Sequence, residues 1–169
     1  MPKKHLGEEA GKAVGAAHRE PTLLYIIKQL ELATRWRLDD IFRPLGMTAL
    51  QYTALTVLEH HPGISGVQLA RNSFVTPQSM SDMVETLQDR GLIERRPDPT
   101  DRRRLLVSLT PSGRTLLDSY RPVVESLERE MVSELSAAES TELRRLLLLS
   151  RSALAKRDAP NDPTRTGVE

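Results

Sequence analysis

Residues 92–113 read LIERRPDPTDRRRLLVSLTPSG, and this stretch decides the fold. Its order is a short strand, a loop dense in arginine, a second strand and the start of a helix. In the second strand Leu105, Val107 and Leu109 alternate with Leu106 and Ser108, the period of a half-buried strand. A β-hairpin with Arg102, Arg103 and Arg104 at its tip has little use as core. Its expected partner is a polyanion with grooves. Asp101 stands two residues before Arg103 and is expected to hold that guanidinium in one orientation, reducing the entropy lost when it enters a narrow groove. The bland alternative is a solvated charge run in a turn.

Working outward, helix punctuation is legible on both sides. Pro21 suits a first helical position, and Leu23, Ile26, Ile27, Leu30 and Ala33 follow at helical spacing to about Arg43, before Pro44 and Gly46. Thr48 with Gln51, Ser65 with Gln68 and Ser136 with Glu139 each read as a capping box. Thr76-Pro77 and Thr110-Pro111 each read as an N-cap followed by proline in the first turn. The helix from Thr76 buries Met80, Met83, Val84 and Leu87, and Gly91 is its expected left-handed end. The helix from Pro111 carries Leu116, Tyr120, Val124, Leu127, Met131 and Leu135, with Pro122 predicting a kink or break near Arg121. The last helix carries Leu143, Leu146, Leu147 and Leu154.

Helix, short helix, helix, hairpin is the order of a winged helix-turn-helix. The expected fold class is mainly α (α+β), with a two-stranded wing and long N- and C-terminal dimerisation helices. The expected division is an arm over 1–20, a dimerisation helix over 21–47, the winged region over 48–110, dimerisation helices over 111–157 and a tail over 158–169. The helix from Thr76 is the candidate reader of base edges. Thr76, Gln78, Ser79 and Ser81 lie off its apolar face, glutamine suits adenine edges, and a helix N-terminus suits a phosphate. Asp82 and Glu85 on the same side argue for caution, because carboxylates repel phosphates. An amphipathic helix with a solvated face would look the same.

Composition bounds the remaining choices. The chain has 169 residues and a formal charge of only +1, so distribution matters more than the total. Residues 90–104 hold six arginines against Glu94, Asp98 and Asp101, and residues 123–145 hold six glutamates against Arg129, Arg144 and Arg145. One face is thus suited to an anion and another is kept from it. There is no cysteine, which removes disulfides, thiolate metal sites and thiol redox sensing. No apolar run reaches membrane-spanning length and no signal segment opens the chain, so a cytoplasmic protein without membrane contact is expected. No motif for a nucleophile, a phosphate-cradling loop or a paired-carboxylate site supports an enzyme, and no cofactor is implied.

The helix over 48–60, the reader helix, GLIERRPDPTDRRRLLVSLTPSG and the flanking long helices together resemble the MarR family of bacterial transcription regulators, over about residues 22–157. The most specific part is DPTDRR, then Leu109-Thr110, then Pro-x-Gly. The resemblance implies a homodimer built from the first, fifth and sixth helices. It implies Arg103 in a minor groove supported by Asp101, and the Thr76 helix in a major groove of pseudo-palindromic double-stranded DNA. Many members are repressors released by small aromatic acids or other hydrophobic effectors bound between the dimer region and the winged region. The hydroperoxide-sensing branch needs a cysteine. The urate-responsive branch uses an N-terminal tryptophan and an arginine inside the reader helix. This sequence has none of these.

Trp36, Tyr52 and His60 are the candidate effector residues, although aromatics at helical spacing are more often plain core. His60-His61 are adjacent, so they do not share a helix face, and no third metal ligand stands out. The alternative to a DNA-binding regulator is a winged-helix module that binds protein. It would not need three consecutive arginines at the wing tip.

Overall fold

The computed structural model describes residues 20–155. The expected arm and tail therefore fall almost wholly outside the described residues. The elements are α1 (Leu23–Phe42), a 3-10 turn (Arg43–Leu45), α2 (Ala49–His60), β1 (Ile64–Ser65), α3 (Gly66–Asn72), α4 (Pro77–Asp89), β2 (Ile93–Pro97), β3 (Leu105–Leu109), α5 (Pro111–Met131) and α6 (Ala137–Ala155).

Side-chain caps begin most of these helices where the sequence placed them; α1 differs, with Thr22 as its N-cap and Pro21 outside the helix rather than in its first turn. Thr48 and Gln51 form a reciprocal capping box, as do Ser65 and Gln68. Thr76 Oγ1 accepts from the Ser79 N–H, and Thr110 Oγ1 from the Gly113 N–H. At Ser136 the Glu139 carboxylate accepts from both the backbone N–H (2.8 Å) and the hydroxyl (2.7 Å). Those bonds hold Glu139 below the usual carboxylate range, the serine hydroxyl contributing most. Gly91 has φ +67°, the left-handed geometry that glycine adopts without steric cost.

The wing is more than a two-stranded hairpin. β1 adds to β3, giving a three-stranded antiparallel sheet of order β1-β3-β2. Val107 faces both Ile64 and Arg95, and Leu106 faces both Ser65 and Arg96. The extra strand has only two residues, too few to show a period. It ties the base of the wing to the N-terminus of α3.

Beneath the sheet and the three helices of the winged region lies one core. Phe42, Leu55, Leu58, Leu69, Met80, Leu87, Ile93, Val107 and Leu109 are fully buried in it. Each such aliphatic or aromatic side chain contributes about 1.5–3 kcal/mol by leaving water. Phe42 stacks on Tyr52 with ring centroids 4.5 Å apart and lies 5.2 Å from Tyr120, so one aromatic cluster joins α1, α2 and α5. From α5 the buried side chain is Leu117, not one of the residues expected; Leu116, Tyr120 and Val124 pack around it half-buried. Gly113 fits where no side chain can. A Cβ there would collide with the Leu92 carbonyl oxygen.

Two contacts fix the junction between α1 and α2. Asp39 Oδ1 accepts from the Ala49 N–H at 2.6 Å, adding a second cap to α2. Arg90, at the C-terminus of α4, donates to the carbonyl oxygens of Leu45 (2.8 Å) and Gly46 (3.3 Å). Helix C-terminal carbonyls carry partial negative charge and lack partners within the helix, so a guanidinium suits them.

Of the kink or break expected near Arg121, the break does not occur: α5 is one helix through Pro122. Tertiary contacts on both sides explain the continuity. Tyr120 and Val124 pack on the core, and the Arg121 guanidinium bonds Glu59 of α2 (2.7 Å) as well as Asp118 (3.0 Å). The ion pair with Glu59, then that with Asp118, raises the Arg121 pKa.

The long helices leave much apolar surface uncovered in the single chain. Leu23, Leu24, Ile26, Leu30 and Trp36 of α1 are exposed, as are Leu146 to Leu149 and Leu154 of α6. Among the described residues no helix is long and apolar enough to cross a membrane.

Candidate nucleic-acid interface and ligand cleft

The wing tip is ordered by its own carboxylates. Asp98 Oδ1 accepts from the N–H (2.8 Å) and hydroxyl (2.7 Å) of Thr100, two residues on. The Thr100 hydroxyl, then its N–H, hold Asp98 below the usual carboxylate range. Asp101 repeats the device, accepting from the Arg103 backbone N–H at 3.1 Å. These side-chain turns pre-shape the loop before any partner arrives. Here the expectation is corrected: Asp101 holds the backbone of Arg103, not its guanidinium. An aspartate reaches an N–H two residues ahead through a closed turn, whereas the arginine side chain is carried outward by that same turn.

The six arginines of 90–104 divide into two groups. Arg90 is bound to the α1–α2 junction. Arg95 donates to Gln88, and Arg96 pairs with Glu94 at 2.9 Å. Arg104 turns back to Gln68 Oε1 at 3.0 Å. Among the described residues, the guanidinium groups of Arg102 and Arg103 have no hydrogen-bond or ion-pair partner, and both residues are exposed. The free charge of the hairpin is therefore concentrated on two neighbouring side chains.

The reader helix α4 exposes Thr76, Gln78, Ser79 and Ser81, while Met80, Val84 and Leu87 face the core. The Thr76 hydroxyl is already engaged, accepting from Ser79 N–H at 3.2 Å and donating to Ser79 Oγ at 2.9 Å. Gln78 Nε2 donates to Asp82 Oδ1 at 3.2 Å. That bond occupies part of the carboxylate and leaves the glutamine carbonyl oxygen as an acceptor.

Between α2, the helix-turn-helix turn and α6 lies a cleft of about 720 Å³. Tyr52, Thr56 and His60 of α2, Arg71 of α3, Phe74 of the turn and Arg151 of α6 line it. Among the described residues no carboxylate does so. His60 Nδ1 lies 2.8 Å from the Thr56 carbonyl oxygen, which can only accept, so Nδ1 carries the proton and Nε2 is left free. Of the three expected effector residues, Tyr52 and His60 meet here. Trp36 does not: it is 66% exposed on α1 and lines no part of the cleft. Arg71, Phe74 and Arg151 were missed. Phe74 sits in the turn at φ +55° with its ring 76% exposed, a conformation uncommon outside glycine and asparagine that no sequence pattern announces. Among the described residues no group of three or more potential ligands could hold a metal, so His60 and His61 have no third partner.

An ordered arginine-bearing wing beside a capped helix with a polar outer face defines a winged helix-turn-helix transcriptional regulator. The MarR family model matches residues 45–104. The HTH-type transcriptional repressor Rv2887 of Mycobacterium tuberculosis is 31% identical over 134 residues, spanning 79% of this chain and 96% of that protein. The chain belongs to the MarR family. Among solved structures, the S. aureus MepR–DNA complex is similar with a TM-score of 0.68 and 25% identity, covering 79% of this chain and 99% of MepR. Rv2887 in complex with salicylic acid is similar with a TM-score of 0.63 and 30% identity, covering 76% and 95% respectively.

Proposed function

We propose that this chain acts in the cytoplasm as a homodimeric repressor that binds a pseudo-palindromic operator and is released by an aromatic carboxylate. Its role is binding, not catalysis. The observation that carries the reading is the pair of unpartnered guanidinium groups, Arg102 and Arg103, on a wing tip already ordered by Asp98 and Asp101. In the complex α4 lies in a major groove, with Gln78, Ser79 and Ser81 toward base edges and Thr76 holding the helix start near a phosphate. Arg102 and Arg103 enter the adjacent minor groove. MepR was solved on DNA, which supports DNA as the partner of this similar fold.

The exposed leucines of α1 and α6, with α5 between them, supply the interface of the homodimer. The salicylic acid complex of Rv2887 supports an effector of that class. In this chain the cleft offers Arg71 and Arg151 to a carboxylate, and Tyr52 and Phe74 to a ring. It touches both α6 and the turn leading into α4, so an occupant gains affinity in one arrangement of these elements and shifts the population toward it.

Selection of duplexes from a random-sequence pool tests the reading. The expected product is an inverted repeat with half-sites roughly 10 base pairs apart. Its affinity should fall steeply with salt. Recovery of no enriched duplex at low salt, or a monomer mass by light scattering at micromolar concentration, would overturn it.

A further inference from the structure

Arg104 stands third in the arginine run, yet its backbone and one nitrogen of its guanidinium are bonded within the protein. Its N–H donates to the Asp101 carbonyl oxygen at 2.9 Å, and its own carbonyl accepts from Asp98 N–H at 2.8 Å. Its guanidinium reaches Gln68 Oε1 at 3.0 Å and approaches Ser65 Oγ at 3.5 Å. Gln68 Oε1 already accepts from the Ser65 N–H and hydroxyl, both at 3.0 Å. These are the capping-box residues that start α3. Ser65 is also the residue of β1 paired with Leu106 of β3.

We propose that Arg104 is a positioning residue that fixes the wing against the first helix of the helix-turn-helix, and that it does not contact DNA. The inference rests on the DNA-binding reading above and divides the labour within the arginine run. The start of α3 carries partial positive charge, so a cation is not drawn there by the helix. The glutamine carbonyl supplies the attraction instead, and a charged donor makes that bond stronger than a neutral one. The result is a closed circuit. It runs from β3 through the Arg104 side chain to Gln68 and Ser65, then through β1 back to β3. With Nη2 committed to Gln68, the Arg104 side chain is directed back to α3 rather than out from the wing tip. Arg102 and Arg103 then extend from a tip whose angle to α3 and α4 is set by Arg104.

A position that only orients should change affinity without changing the number of neutralised phosphates. The probe is the duplex selected by the unaltered protein, titrated by anisotropy over a series of salt concentrations. Arg104→Ala should weaken binding by about three- to tenfold at each salt. The slope of log affinity against log salt should stay unchanged, whereas a lost phosphate contact lowers it by about 0.9. Gln68→Ala should weaken binding similarly, and the double variant should be no weaker than the weaker single. Arg104→Lys keeps the charge without the planar fork, so it should lose affinity too. A reduced slope, full affinity in Arg104→Lys, or multiplying losses would overturn the proposal. A readout free of DNA separates its failure from that of the DNA-binding reading. In the unliganded protein, hydrogen exchange across 98–106 should quicken in both Arg104→Ala and Gln68→Ala. Unchanged exchange would refute the positioning role, whatever the duplex selection finds.

Discussion

Replacing Gly113 by alanine should destabilise the protein, against the direction that helix propensity predicts. Alanine is favoured over glycine in a helix by about 1 kcal/mol, and less in the first turn, where Gly113 sits. The added Cβ, however, would overlap the Leu92 carbonyl oxygen and lie 3.2 Å from the Leu92 carbonyl carbon and 3.3 Å from Leu109 Cδ2. The first two are backbone atoms, unable to turn aside like a side chain. That carbonyl also accepts from the Thr110 N–H at 3.1 Å, so moving it weakens the bond between the end of β3 and the start of β2. Overpacking of this kind costs about 1–3 kcal/mol, and the strained hydrogen bond adds about 1 kcal/mol. After the propensity gain is subtracted, a net loss of about 1–3 kcal/mol remains. For a chain of this size that lowers the melting temperature by about 2–4 °C for each kcal/mol. Circular dichroism melts at matched protein concentration measure it, with Ser112→Ala, an exposed neighbour, expected to melt like the parent. A Gly113→Ala protein as stable as the parent, or more so, would refute the packing argument and leave propensity as the governing effect.

Further outcomes follow from the wing and the cleft. Asp101→Ala should weaken operator binding by about fivefold through loss of the turn at Arg103, although it removes a negative charge beside DNA. Asp101→Asn keeps the acceptor and should bind at least as well as the parent; tighter binding by both variants would reduce the wing to a charged arm. The Thr100 amide, followed by NMR, should titrate with Asp98 at a midpoint below the ordinary 3.8, and Thr100→Ala should raise it. Because the folded-state pKa of Asp98 is depressed, its ordering of the tip is complete above the ordinary value and is lost as pH falls through the folded one. A midpoint at or above 3.8 would contradict the bond. Salicylate should release the selected duplex, and Arg71→Ala should blunt that release without altering dimer mass; release unaffected by the variant would move the ligand elsewhere.

Local chemistry made most elements readable. A threonine or serine with glutamine three residues on specifies a helix start through bonds within four residues, so Thr48 and Ser65 could be placed without knowing the fold. Gly91 likewise marks its own turn. What could not be read depends on partners distant in sequence. Nothing near Arg104 says that its side chain meets Gln68, and nothing near Arg90 says that it meets Leu45. Charge counting gave six arginines over residues 90–104 with three at the tip, and among the described residues the fold leaves two of them without partners. Pro122 shows the converse: a local rule allowed a kink or a break, and the helix runs on without a break, with Arg121 beside it paired to Glu59 of α2. Trp36 lies outside the described cleft, and its spacing from other apolar residues carries no information about which face is later covered.

On the proposed DNA-binding orientation, the bridge from Arg90 to the carbonyls of Leu45 and Gly46 makes α4 a lever with its pivot at the far end from the DNA. The helix has 13 residues, about 20 Å of length. A rotation of about 5° about that pivot moves its leading turn by about 1.7 Å, more than half the length of a hydrogen bond. The pivot is also where α1 hands over to α2, so in the proposed homodimer a change in how two copies of α1 cross would be magnified at Gln78 and Ser79. On that reading, small adjustments among the long helices would suffice to spoil the proposed base contacts, with no need for any part of the winged region to unfold or deform.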